Sequence, residues 1–261
     1  MGNVVAICRR ELKSYFASPV AYVVLMFFLL IAGYFFYAMM SYFSLISLQM
    51  MQQQQFRGMM PLNVTEAVIR PLFGNLSVVF IFLLPALTMR SFAEEKKTGT
   101  IELLLSYPIR DGELVTGKYL ATLALLAVML AATVIYPLFI GWTTEWKSPE
   151  VGPLLASYLG LLLMGACFLA FGLFASTLTE NQIVAFVITL VSLLMFWVLG
   201  WAASFVGTGA GAVLNHLSFI QHFDNFAKGV IDTTDMVYYL SFIAFCLFLT
   251  LRSLESKNWR A

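Results

Sequence analysis

Charge is scarce in these 261 residues: 11% are Asp, Glu, Lys or Arg, where an ordinary water-soluble domain carries roughly 25%. Apolar residues make up 61% and the mean hydropathy is +0.86. Too little polar surface remains to cover a soluble core, which excludes that class and leaves the membrane. Cysteine is nearly as rare. Cys8, Cys167 and Cys246 stand far apart, so the chain has neither a disulfide framework nor the paired spacing of a zinc site, and the three read as small buried apolar residues. The two histidines, His216 and His222, belong to no His-Glu-x-x-His motif, and there is no Gly-x-Ser-x-Gly nucleophile turn. Both absences count against an intramembrane protease. A Gly-x-x-x-x-Gly-Lys-Ser/Thr phosphate loop is missing too, so the chain does not hydrolyse ATP by that route. Gly207, Gly209 and Gly211 follow an apolar run and open no βαβ unit. The middles of the apolar runs hold essentially no ionisable residue. Such groups cost at least about 2.5 kcal/mol there and mark ion or proton pathways, so an ion-coupled carrier fits poorly.

The gaps between charges define the architecture. Uncharged stretches cover 14–56, 71–89, 119–144, 151–179, 181–223 and 236–251. A spanning helix needs roughly 20 mainly apolar residues, which predicts six spans near 20–43, 72–90, 117–141, 154–176, 183–204 and 236–252. The sixth is marginal, with 16 uncharged residues; it works if Tyr238 and Tyr239 sit at one interface while Arg252 snorkels to the other. With six spans, Lys and Arg divide 11 to 4 between the two sides. The positive-inside tendency then puts both termini in the cytoplasm. The expected fold is an all-α integral membrane protein, one transmembrane domain over 1–261.

Residues 1–18 read as an amphipathic helix lying in the interface plane rather than a cleavable signal. Val4, Val5, Ile7, Cys8, Leu12, Tyr15 and Phe16 share one half of its wheel, and Arg9, Arg10 and Lys13 the other. Glu11 falls inside the apolar arc, which demands a basic partner. Ser18 and Pro19 end the helix.

The largest inner loop, 90–118, carries nine charges between Arg90 and Glu113. Gly99 and Thr100 open a short helix there, Thr100 as N-cap and Glu102 in the first turn, with Ile101, Leu103, Leu104 and Leu105 as the apolar side and Pro108 as the stop. Asp111 is the expected cap of the following helix. An amphipathic helix held between two membrane spans is suited to receive a push from a cytoplasmic partner.

These residues carry a resemblance. The segment Arg10-Glu11-Leu12-Lys13-Ser14-Tyr15-Phe16 with Ser18-Pro19, the run Arg90 to Leu105 followed by Pro108, Gly117-Lys118, and Ser176 through Gln182 are similar to the membrane permeases of type 2 ATP-binding cassette (ABC) transporters. The likeness is to the gliding-motility and nitrous-oxide-reductase-maturation branch. It implies a non-enzymatic subunit of a bacterial inner-membrane exporter that pairs with a second permease copy or a paralogue. A cytoplasmic ABC ATPase binding ATP and Mg would dock on it, with room for a periplasmic or accessory subunit. No cofactor or nucleic acid is implied for this chain. The resemblance makes Glu94, Glu95, Gly99, Thr100, Glu102, Leu103, Leu104 and Pro108 the coupling segment, and Arg9, Arg10, Glu11 and Tyr15 the interface helix. A membrane anchor that passes ATPase work to a periplasmic machine is the alternative, and a secondary carrier a weaker one. The sequence does not name a substrate; the uncharged spans permit lipid or other amphipathic cargo.

Residues 205–236 suit short helices dipping into the outer interface, which the resemblance makes a re-entrant lid. His216, His222 and Asp224 are candidate metal ligands, weighed against a hydrogen-bonded interfacial pair. The pairs Met39-Met40, Met50-Met51 and Met59-Met60 have the thioethers that Cu(I) favours, but doublets point apart on a helix and fit apolar packing better.

Overall fold

The computed structural model describes residues 2–52, 63–100, 110–144, 150–205 and 207–258. Among them every regular element is helical: α1 (Gly2–Ala17), α2 (Pro19–Gln52), a π turn (Thr65–Ile69) leading into α3 (Arg70–Thr88), α4 (Ala93–Lys97), α5 (Asp111–Thr133), α6 (Ile135–Thr143), α7 (Val151–Leu178), α8 (Gln182–Ala202) with a 3₁₀ turn (Ala203–Phe205), α9 (Thr208–Leu217), α10 (Phe219–Ala227) and α11 (Thr233–Asn258). Six segments are long and apolar enough to cross a membrane: Ala21–Met50, Thr65–Lys97, Asp111–Thr143, Val151–Leu178, Gln182–Ala202 and Thr233–Ser256.

These segments match the expected spans in number and order, and differ at their ends. The helix of the first span, α2, runs on to Gln52, and along this extension Ser44 and Ser47 satisfy their hydroxyls on the carbonyls of Ser41 and Ser44. At 34 residues it is about 51 Å long, well beyond a hydrocarbon core of about 30 Å. The third span breaks after Thr133. Pro137 has no amide hydrogen to donate to the Thr133 carbonyl and its ring crowds that oxygen, so a new helix starts at Ile135. The sixth is not marginal: α11 has 26 residues, since Arg252 and Glu255 stay helical and pair at 2.7 Å. Arg110, not Asp111, takes the cap position of α5. Its amide donates to Glu113 Oε2 at 3.3 Å, and Asp111 stands in the first turn, where the helix dipole favours a carboxylate.

Helices α3 and α7 form the buried centre, with Leu76, Phe80, Leu84, Leu161, Leu169 and Leu173 excluded from the surface. They approach closely because Gly172 faces Thr88, where a β-carbon would collide with the threonine hydroxyl. Helices α2, α8 and α11 sit outside and present Phe27, Leu30, Val187, Val191 and Phe245 outward, as lipid-facing helices do. Met39 and Met40 pack partly buried against the core; Met59 and Met60 lie outside the described residues.

The short helices α9 and α10 fold back into the bundle. Phe223 and Phe226 of α10 press on α7 at Gly160, which leaves space for them, and Phe219 meets Phe168 edge-on at 5.3 Å. Cys167 Sγ contacts the Tyr239 carbonyl at 3.3 Å, setting the seventeenth residue of α7 beside the seventh of α11. Ten residues of offset place the start of α11 about 15 Å along α7 from the beginning of that helix. Two short helices thus stand before the last span, as expected, packed against α7 and α8.

Candidate functional site

The functional reading starts at α1. Its inward stripe follows the 3.6-residue period through buried Ile7 and partly buried Glu11 and Tyr15, which face the start of α5 and the end of α3. Val5 and Phe16, placed on the same apolar half by the wheel, remain exposed. Close packing of α1 on α5 depends on Gly117: a β-carbon there would stand 2.7 Å from Ile7 Cγ2. Beside it, Asn3 Nδ2 donates to Glu113 Oε2 at 3.0 Å.

The partner that Glu11 requires is Lys118. Its ammonium donates to Glu11 Oε1 at 3.1 Å, Glu95 Oε1 at 2.8 Å and the Ser91 carbonyl at 2.8 Å. It also lies 5.2 Å from the centre of the Phe92 ring, a cation–π contact. The Lys118 side chain is only 3% exposed. Arg10 closes the group, 2.7 Å from Glu11 and 3.6 Å from Glu95. Two cations and two carboxylates balance, which is what permits their burial. Burial raises the Glu11 carboxyl, but Lys118 and Arg10 more than reverse this and hold it below its ordinary value. Burial pushes the Tyr15 phenol up to about 12, and its hydroxyl donates to the Leu87 carbonyl at 3.4 Å.

The cluster ties three elements together. Helix α4 begins with Glu94 and Glu95 and ends with Lys96 and Lys97, matching its dipole at both ends. Lys96 is buried and donates to the Thr177 carbonyl, anchoring α4 to the end of α7. Gly99, at φ +72°, closes α4 in a left-handed conformation suited to glycine. The Thr100 hydroxyl turns back, 3.0 Å from that of Thr98 and 3.4 Å from the Glu95 carbonyl.

A cavity of about 560 Å³ opens beside the ion cluster, with Glu94, Thr100 and Arg90 on its wall. Glu95 Oε2 and Ser91 Oγ, both buried, find no hydrogen-bond partner among the described residues. The site therefore gathers Arg10, Glu11, Tyr15, Glu94, Glu95 and Thr100, all expected from the sequence. Arg9 stays exposed outside the described contacts. Glu102, Leu103, Leu104 and Pro108, and the helix expected there, lie outside the described residues. Sequence reasoning missed Lys118 as the hub. The signal was present, since Lys118 follows Leu114 by one turn on the buried side of α5 and Glu11 lacked a partner.

A second polar group lies at the opposite end. His222 Nδ1 is 2.5 Å from Asp235 Oδ1, and Asn225 Nδ2 donates to Asp235 Oδ2 at 2.9 Å. His222 Nε2 reaches the His216 carbonyl at 3.0 Å, and Tyr238 stacks on the His222 ring at 4.0 Å. The acid paired with His222 is thus Asp235, not Asp224. Asp224 instead meets Arg70 at 2.6 Å and Lys228 at 2.5 Å. Burial raises its carboxyl, but these two cations hold it below its ordinary value.

An amphipathic N-terminal helix locked to a charged connector, together with six candidate spans and two short helices before the last, coincides with a family match over residues 5–254 described as ABC-2 family transporter protein. The chain belongs to that family. It is also similar to the probable multidrug ABC transporter permease YbhR of Escherichia coli strain K12, 29% identical over 149 residues, covering 52% of this chain and 39% of the relative. The same protein in Escherichia coli O157:H7 matches to the same extent. The matched part of the chain spans about two fifths of the length of these relatives.

Proposed function

We propose that this chain is the permease subunit of an ABC exporter of the bacterial inner membrane, driven by a separate cytoplasmic ATPase that binds ATP and Mg. The observation that carries the reading is the buried Lys118 cluster. It joins α1, α4 and α5 into one block at the end expected to face the cytoplasm, and Lys96 extends that block to α7. A force applied to α1 or to the 93–110 connector then reaches three spans together, instead of being lost in bending a loose loop. Both termini lie on the ATPase side, where basic residues concentrate. A second permease, identical or paralogous, completes the unit, since closed pairing is the common solution for such subunits.

Glu94, Glu95, Gly99, Thr100, Glu102, Leu103, Leu104 and Pro108 form the ATPase-facing segment in this reading, with Arg9, Arg10, Glu11 and Tyr15 on the helix beside it. Affinity isolation of the tagged chain from native membranes tests the assignment. An ABC ATPase should copurify, and charge reversal at the exposed Glu94 should leave ATP hydrolysis while abolishing its coupling to transport. Isolation without an ATPase, or transport driven by an ion gradient in liposomes holding this chain alone, would overturn it.

A further inference from the structure

Between α3, α8 and α10, at the end away from α1, lies a groove of about 470 Å³ that neither polar cluster occupies. Its mouth is ionic and its walls are not. Glu66, Arg70 and Asp224 form the mouth; Val78, Ile220 and Phe223 line the depth. From Glu66 to Val78 is twelve residues, about 18 Å of helix, so the groove runs from a charged collar toward the middle of the span. This polarity is that of an amphiphile standing upright in a leaflet.

The collar specifies the head. Arg70 and Lys228 both bind Asp224, at 2.6 and 2.5 Å, which leaves one positive charge in excess beside the groove. The Arg70–Asp224 contact uses one of five guanidinium N–H donors. Glu66, one turn before Arg70, is exposed and makes no ion pair among the described residues. An excess cation next to a lone carboxylate complements a phosphate carrying an ammonium. Deeper in, Trp197 Nε1 is buried with no acceptor among the described residues, and Trp197 lines the groove. An ester carbonyl of a glycerolipid would satisfy that donor. At Gly74, an added β-carbon would meet nothing within 4 Å, so the wall there is open space.

We infer that this groove binds one phospholipid with a zwitterionic phosphate–ammonium head, its phosphate on Arg70, its ammonium on Glu66 and an ester carbonyl on Trp197. The inference goes beyond the permease reading, and its assay contains no ATPase, so either can fail alone.

The test is lipid titration of the delipidated full-length chain followed by native mass spectrometry, with phosphatidylethanolamine and phosphatidylglycerol in parallel. Phosphatidylethanolamine should bind about fivefold or more tighter, the expected scale for one well-placed ionic contact. Gly74→Leu fills the open wall and should weaken its binding about tenfold, while Glu66→Gln should erase the preference between the two lipids. Thermal unfolding checks that each variant is folded; Glu66→Gln, a change at an exposed position, carries the test if Gly74→Leu is not. Equal binding of both lipids by the parent chain, or an unaltered preference in folded Glu66→Gln, would overturn the assignment.

Discussion

Beside α1, the long side chains of Glu11, Glu95, Arg10 and Lys118 converge next to a cavity, with one carboxylate oxygen and one hydroxyl unpartnered among the described residues. At the other end, the short side chains of His222, Asn225 and Asp235 interlock against a tyrosine ring, and both Asp235 oxygens and both His222 nitrogens are engaged. The first cluster joins elements more than a hundred residues apart; the second joins α10 to α11 across 13 residues. Long ionic side chains converging on one buried ammonium tie distant elements into a block, whereas a satisfied knot of short ones fixes the geometry between two neighbours in the chain. The difference suits a driven end and a fixed end on the same helices.

The largest effect should come from removing the hub. Lys118→Met leaves Glu11 and Glu95 facing each other without their shared cation, a loss of about 3–5 kcal/mol. Thermal unfolding of the purified chain should show it, and adding Glu11→Gln with Glu95→Gln should restore much of the loss. At the fixed end, Asp235→Ala strands the His222 and Asn225 donors for about 1–3 kcal/mol. Limited proteolysis should then cut between α9 and α11 while α1 stays protected; cleavage in both places would erase the contrast between the ends. Gly117→Ala should lift α1 from α5 for about 1–2 kcal/mol of overpacking, read as lost crosslinking between cysteines placed at 3 and 113.

Acid should act more weakly, and with opposite sign on the two carboxylates of the cluster. Burial holds Glu95 above its ordinary value, so protonation favours its folded form, whereas Glu11 moves the other way. The Glu11 carboxyl lies below its ordinary value in the fold, so its stabilising contribution is complete above about pH 4.3 and is lost as pH falls below that. Protection of the α1 amides against hydrogen exchange, taken relative to their intrinsic rates, should fall below that point. Asp224 shifts in the same direction as Glu11, but it is 41% exposed and Arg70 37%, so solvent screens its share. Salt gives the smallest effect: raising it should loosen Arg70–Asp224 and leave the Lys118 cluster unchanged. Equal salt sensitivity at both ends would contradict the burial difference.

Span number and order were legible because a hydrocarbon slab imposes a length and forbids charge, and both appear as runs along the chain. Span ends were less so. Helix α2 continues to Gln52, beyond the end that a composition count gives it, and Pro137 split the third span at Thr133, where the same count sees only apolar residues. In the candidate site, the wheel placed Glu11 on the buried side of α1 and so required a cation. It could not choose which one, since a helical wheel holds no information about a residue 107 positions away. His222 was ambiguous for the same reason: Asp224 is its near neighbour in the chain, but Asp235 is its neighbour in space.

The sequence alone determined that this protein lives in a membrane, how often it crosses, and on which flank its charges gather, because desolvation acts on each residue wherever it stands. Only the tertiary structure decided which charges neutralise one another. Pairing requires two side chains within about 4 Å, and that distance was set by Gly117 admitting α1 against α5 and by α10 turning back into the bundle.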